Sequence, residues 1–214
     1  MQDNNRNRTQ FPLFQTPLDL AHTYWKALLR PDDCVIDATC GNGYDTLELA
    51  QLVPQGRVIA LDNQQAAIET AQRRIHDHLP TELHGNVTFF QQCHSVFPLE
   101  IPKHSIALIV YNLGYLPGGN KQMTTMRSTT LQSLKEALQL IQQGGVISVM
   151  CYPGHNEGQI EEEEVVEFTK TLDPQTWSCC FHRWTNRNKG PSLLLVQSAT
   201  SQPLRGGTIS RNAS

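Results

Sequence analysis

The chain has 214 residues, 39% hydrophobic and 17% charged, with 17 Lys+Arg against 20 Asp+Glu for a formal net charge of −3. That length suits one compact domain with short extensions, and the composition is too mixed for a wholly disordered chain. No global basic field marks a histone-like binder, so any nucleic-acid partner needs a local patch.

A lead-in helix is predicted over residues 17–30, with Thr16 as N-cap and Pro17 at the first helical position. Cys34–Asp37 reads as a short buried strand, Tyr44–Val53 as a helix and Arg57–Asp62 as a second strand. From Gln64 to Leu79 the residues Ile68, Ala71, Ile75 and Leu79 line one helical face. Val87–Phe90 gives a third strand and Ser105–Tyr111 a fourth, the latter nearly all apolar as central parallel strands are. A long helix is expected near Thr125–Gln142, stopped by Gly144-Gly145, with a fifth strand over Val146–Tyr152. Glu161–Leu172 is read as a helix whose Glu161–Glu164 run meets the positive dipole end. Trp177–Trp184 and Ser192–Gln197 form two closing strands around a polar loop.

Alternating strands and helices imply a doubly wound, mostly parallel α/β sheet with right-handed crossovers. A closing antiparallel strand makes it the seven-stranded, Rossmann-like variant found in class I methyltransferases. Residues 1–15 are expected to be a flexible extension, 16–198 the domain, and 199–214 a disordered tail with little to bury.

No apolar run approaches the ~20 residues of a membrane span. The polar MQDNNRNRTQ start, with only Phe11–Leu13 behind it, does not read as a signal peptide. Six scattered cysteines without a CxxC point to a reduced, cytoplasmic setting.

The first strand runs into Asp37-Ala-Thr-Cys-Gly41-Asn42-Gly43-Tyr-Asp45-Thr46, at the strand end where such sheets bind ligands. Gly41 and Gly43 permit a tight turn and a close backbone approach. The second strand ends in Asp62, where a carboxylate can take both hydroxyls of a ribose. A nucleoside cofactor follows. Asp45 in the first helical turn, with Asp37 beside it, would repel a pyrophosphate and tolerate a sulfonium or amino group, which selects S-adenosylmethionine over NAD. Cys93-His94 follows the third strand, where His94 either stacks on adenine or is a surface loop residue. The fourth strand ends in Asn112-Leu-Gly-Tyr115-Leu-Pro-Gly-Gly-Asn-Lys121, from which acceptor-binding residues reach the methyl group.

Together, DATCGNGYDT, LDNQ, NLGYLPGGNK, YPGHNEG and NRNKGPSLLL resemble the YtqB/MnmM group of class I methyltransferases over residues 16–198. That resemblance implies methylation of 5-aminomethyl-(2-thio)uridine at wobble position 34 of tRNA. It places cofactor contacts on Asn42, Gly43, Asp45, Asp62, Gln64, Cys93 and His94, beside Asp37 and Thr46 of the glycine loop. Cys151 and His155 lack a companion ligand pair at usable spacing and no flavin-binding domain is read, so neither a metal nor a flavin is expected. The expected partner is the tRNA anticodon stem-loop, without a membrane, and a homodimer is left open. Tyr44 departs from the histidine common in that group.

An alkylammonium has a pKa of about 10, so the acceptor must lose a proton before it attacks. Asn112 can accept an N–H and orient the lone pair, and Tyr115 can bond or stack on the base. His155, in Tyr-Pro-Gly-His, is either a base or substrate clamp or a turn-stabilising residue. Arg183, Asn186 and Arg187 lie with Trp184 in the last hairpin, where a splayed base can stack, and Lys121 adds charge near the acceptor loop. Alternatives are an rRNA or small-molecule methyltransferase, or a non-catalytic subunit that binds the cofactor or RNA.

Overall fold

The computed structural model describes residues 16–114, 127–187 and 189–200. The chain opens with α1 (Pro17–Leu28), started by a capping box in which Thr16 and Asp19 each accept the other's backbone N–H at 3.2 Å. Then follow β1 (Cys34–Asp37), α2 (Tyr44–Leu52), β2 (Arg57–Asp62), α3 (Gln65–His78), β3 (Val87–Gln91) and β4 (Ile106–Asn112). The described chain continues with α4 (Arg127–Leu140), β5 (Ile141–Cys151), α5 (Asn156–Lys170), β6 (Trp177–His182) and β7 (Ser192–Ser198).

The strands form one seven-stranded sheet in the order β3-β2-β1-β4-β5-β7-β6. Pairing is parallel from β3 through β5, and β7 runs antiparallel to both its neighbours. Alternate residues of each strand feed opposite layers. Val35 packs with α1, α2 and α3 through Trp25, Leu49 and Ile75, whereas Ile36 packs with α4 and α5 through Leu134 and Val165. Six of the seven β4 residues are buried, because β4 is covered on both faces. Chain order reverses between β1 and β4, and the loops leaving their carboxyl ends open the crevice.

Gly144-Gly145 does not stop a helix. The helix has ended at Leu140, and β5 begins at once at Ile141. Pairing with β4 jumps from Ile106↔Ile141 to Leu108↔Val146, so residues 142–145 bulge out of the ladder. Gly144 has φ +76°, and a Cβ on Gly145 would sit 2.9 Å from the Ala107 carbonyl oxygen. Here the glycines shape a bulge against the neighbouring strand.

The Glu161–Glu164 run is not at a helix start either. His155 caps α5, so these glutamates lie in its middle, and Glu161 and Glu162 are each only 4% exposed. Their burial is compensated by hydrogen bonds: Thr130 Oγ donates to Glu161 at 2.7 Å and Ser192 Oγ to Glu162 at 2.6 Å.

Candidate active site

The glycine loop is built by its neighbours. Cys40 N–H donates to the Leu61 carbonyl, and Gly43 N–H donates back to the Cys40 carbonyl, both at 2.8 Å. Gly43 caps α2 at φ +78°, and a Cβ there would lie 2.7 Å from Ala71 Cα of α3. Only glycine meets both demands. Arg74 of α3 donates from Nε to the Asn42 carbonyl at 2.7 Å and lays its guanidinium 3.4 Å above the exposed Tyr44 ring.

Asp62 closes the loop from β2: Gly41 N–H donates to its Oδ2 and Gln64 N–H to its Oδ1, each at 2.9 Å. Burial pushes the Asp62 carboxyl above the usual carboxylate range, against the pull of those N–H donors. Asp37 is fully buried, accepting from Thr46 Oγ at 2.6 Å and from the Thr39 N–H at 3.3 Å. Burial first, and then the Asp45 charge, push it up to about 7. A crevice so rich in carboxyl groups favours a cation and disfavours a phosphate.

Asp45, 8% exposed, is the hub. His22 Nε2 lies 2.9 Å from its Oδ1, and Asn112 Nδ2 donates to its Oδ2 at 2.5 Å. Asn112 is fixed in turn. Its backbone N–H donates to Thr39 Oγ at 2.7 Å, and Tyr152 OH donates to its Oδ1 at 3.4 Å. Burial raises the Tyr152 phenol to about 12, so at neutral pH it is a donor. The structure thus brings together Asp37, Thr46, Asp45, Asp62, Gln64, Asn42, Gly43 and Asn112 around one crevice.

The remaining expected site residues have other surroundings. Tyr115 and Lys121 fall outside the described residues. His155 takes its turn-stabilising alternative: its Nδ1 accepts the Gly158 N–H at 3.0 Å as the cap of α5, which occupies the lone pair a base would use. His94 is not a surface loop residue. It is 8% exposed, its ring packs edge-on to Tyr111 at 88°, and burial pushes it down to about 4. It is therefore a neutral interior histidine, while its half-buried neighbour Cys93 lines an open pocket with Ser95, Phe90 and Phe97.

Arg183 lies 3.9 Å from buried Glu162, and Arg187 lies over the Trp184 ring at 4.6 Å, while Asn186 is exposed. A Cβ on Gly154 would sit 3.9 Å from the Lys189 carbonyl, which sets this hairpin beside the loop that follows Tyr152. Sequence reasoning missed His22 and Arg74, whose roles depend on how α1 and α3 pack.

Sheet order, crevice and carboxyl-rich glycine loop define a class I, S-adenosylmethionine-dependent methyltransferase. A family model described as "Putative rRNA methylase" matches residues 58–198, and the chain belongs to that family. It is 37% identical over 185 residues to the chloroplastic tRNA (mnm5s2U34)-methyltransferase of Arabidopsis thaliana, covering 83% of this chain and 68% of the relative. A candidate rRNA methylase of Clostridium thermocellum superposes with a TM-score of 0.80 at 34% identity, covering 86% of this chain and 98% of that one. A candidate methyltransferase of Streptococcus mutans, solved in complex with SAH, superposes with a TM-score of 0.74 at 29% identity, covering 86% and 99%. These relatives agree with the YtqB/MnmM resemblance, and the cofactor is S-adenosylmethionine. No helix among the described residues is long and apolar enough to cross a membrane.

Proposed function

We propose that this enzyme N-methylates the 5-aminomethyl group of (2-thio)uridine at wobble position 34 of tRNA, giving the 5-methylaminomethyl nucleoside. The observation that carries the reading is the pairing of Asn112 at the end of β4 with Asp45 in the first turn of α2, an anionic, hydrogen-bonding seat where an amine is oriented. The name and extent of the plant relative support the same substrate.

Bound S-adenosylmethionine supplies a methyl group on a sulfonium. The chain's part is alignment and charge. Asp62 with Gln64 seats the ribose, Asn42, Gly43 and Cys93 border the cofactor, and Asp37, Thr46 and Asp45 set the negative field for its cationic end. Asn112 directs the amine through its Oδ1, whose second lone pair remains beside the long Tyr152 bond. The methyltransferase domain in this reading spans residues 16–198.

The anticodon partner meets the 183–189 hairpin, where Arg183, Asn186 and Arg187 flank Trp184. Arg187→Ala removes the cation from the Trp184 face. It should raise the tRNA KM about fivefold and reduce the salt slope of RNA binding by about 1. Affinity for S-adenosylmethionine should not change. RNA binding identical to wild type across a salt series would contradict this.

The family description and the Clostridium relative point instead to rRNA. Nucleoside mass spectrometry of bulk tRNA from cells with and without the protein separates the readings. Loss of the methylated wobble nucleoside with accumulation of its 5-aminomethyl precursor supports tRNA. Unchanged wobble uridines would defeat it.

A further inference from the structure

We infer that His22 of α1 is a positioning residue for methyl transfer: it and Asn112 each hold one oxygen of Asp45, so the carboxylate at the transfer point keeps one orientation. This rests on the reading of Asp45 and Asn112 given above.

The two donors come from separate elements, α1 and β4, and both are themselves anchored. The His22 ring packs 4.7 Å from Trp25, one turn further along α1. Trp25 is 2% exposed and donates its indole N–H to Ser148 Oγ of β5 at 3.1 Å. From there the contacts run through His22 to Asp45 on α2, then to Asn112 on β4, and end on Tyr152, just past β5. This circuit starts on β5 and finishes on the residue that follows it, with the carboxylate at its middle. Helix α1 is thereby part of the active site, although it precedes the first strand.

A neutral imidazole steadies Asp45 and leaves its charge intact, whereas an imidazolium would cancel much of it. The charged groups facing His22 are Asp45 and Glu48 of α2, with Asp19 and Lys26 on its own helix. His22 is held above its ordinary value, chiefly by the Asp45 hydrogen bond and against the effect of burial. Cofactor affinity should therefore weaken as pH falls through this raised transition.

The test uses the full chain as wild type, His22→Gln and His22→Ala. Glutamine offers an amide N–H to Asp45 and does not titrate, while alanine offers nothing. His22→Ala should lower kcat ~10- to ~100-fold with the tRNA KM unchanged, and His22→Gln should recover most of that loss. Calorimetric titration with S-adenosylmethionine from about pH 6 to 9 should show a larger acid-side weakening in wild type than in either variant, because Asp37, pushed up to about 7, titrates in all three and His22 only in wild type. Wild-type kcat in the alanine variant, a glutamine variant that folds but is as slow as alanine, or the same acid-side weakening in the glutamine variant would each overturn the proposal. If wild type leaves 5-aminomethyl tRNA unmethylated, the substrate reading fails, and the cofactor titrations still decide the role of His22. A His22→Ala variant that does not fold leaves the same decision to His22→Gln.

Discussion

Asn112→Ala should lower kcat for methyl transfer about 100-fold, with Kd for S-adenosylmethionine within about threefold of wild type. Four contacts converge on Asn112: its backbone N–H on Thr39 Oγ, its Nδ2 on Asp45, and its Oδ1 receiving Tyr152, with parallel pairing to Met150 as the fourth. Alanine keeps the strand pairing and the Thr39 bond, both of which use backbone. What disappears is the side chain that directs the amine and holds one oxygen of Asp45. The other oxygen keeps His22, so the negative field near the cofactor persists. Single-turnover rates set beside calorimetric binding separate the two effects. An unchanged rate would remove Asn112 from the transfer site.

Asp62→Ala should act on the other parameter, raising Kd for S-adenosylmethionine at least about 100-fold. Two backbone N–H groups, from Gly41 and Gln64, aim at this carboxylate and lose their acceptor together. Hydrogen bonds to a charged group contribute about 1.5–3 kcal/mol each, and both of these donors are partly buried, so losing their acceptor is only partly offset by water. The glycine loop then loses its tie to β2, and the ribose loses its seat. Asp62→Asn is the milder variant, because one amide oxygen can still accept from one of the N–H groups while the other meets a second donor. Calorimetry of both variants checks the order, alanine weaker than asparagine and asparagine weaker than wild type. An alanine variant that binds normally would refute the assignment.

Much of this architecture is local, and so was legible. The strand from Cys34 to Asp37 and that from Arg57 to Asp62 have the bounds their apolar runs suggest, because turn residues and acids bracket them. The Thr16 cap and Pro17 were readable for the same reason. Long-range partners were not. Glu161 and Glu162 read as a helix start because four adjacent acids normally face solvent, and their partners Thr130 and Ser192 lie 31 and 30 residues away. Gly144-Gly145 reads as a stop signal, and only the register with β4 reveals a bulge. His94 follows a strand where a loop histidine is normally exposed, yet α4 covers it at Thr130. His22 lies 23 residues from Asp45 on a helix whose pattern declares only an apolar face, and no spacing rule joins the two.

Methylation by the purified protein, with methyl-labelled S-adenosylmethionine and two matched tRNAs, decides whether the wobble 5-aminomethyl group is the acceptor. One tRNA carries 5-aminomethyl-(2-thio)uridine at position 34 and the other an unmodified uridine there. Label should enter only the first, recovered after digestion as the 5-methylaminomethyl nucleoside. Equal labelling of both tRNAs, or transfer to rRNA with neither tRNA labelled, would contradict it.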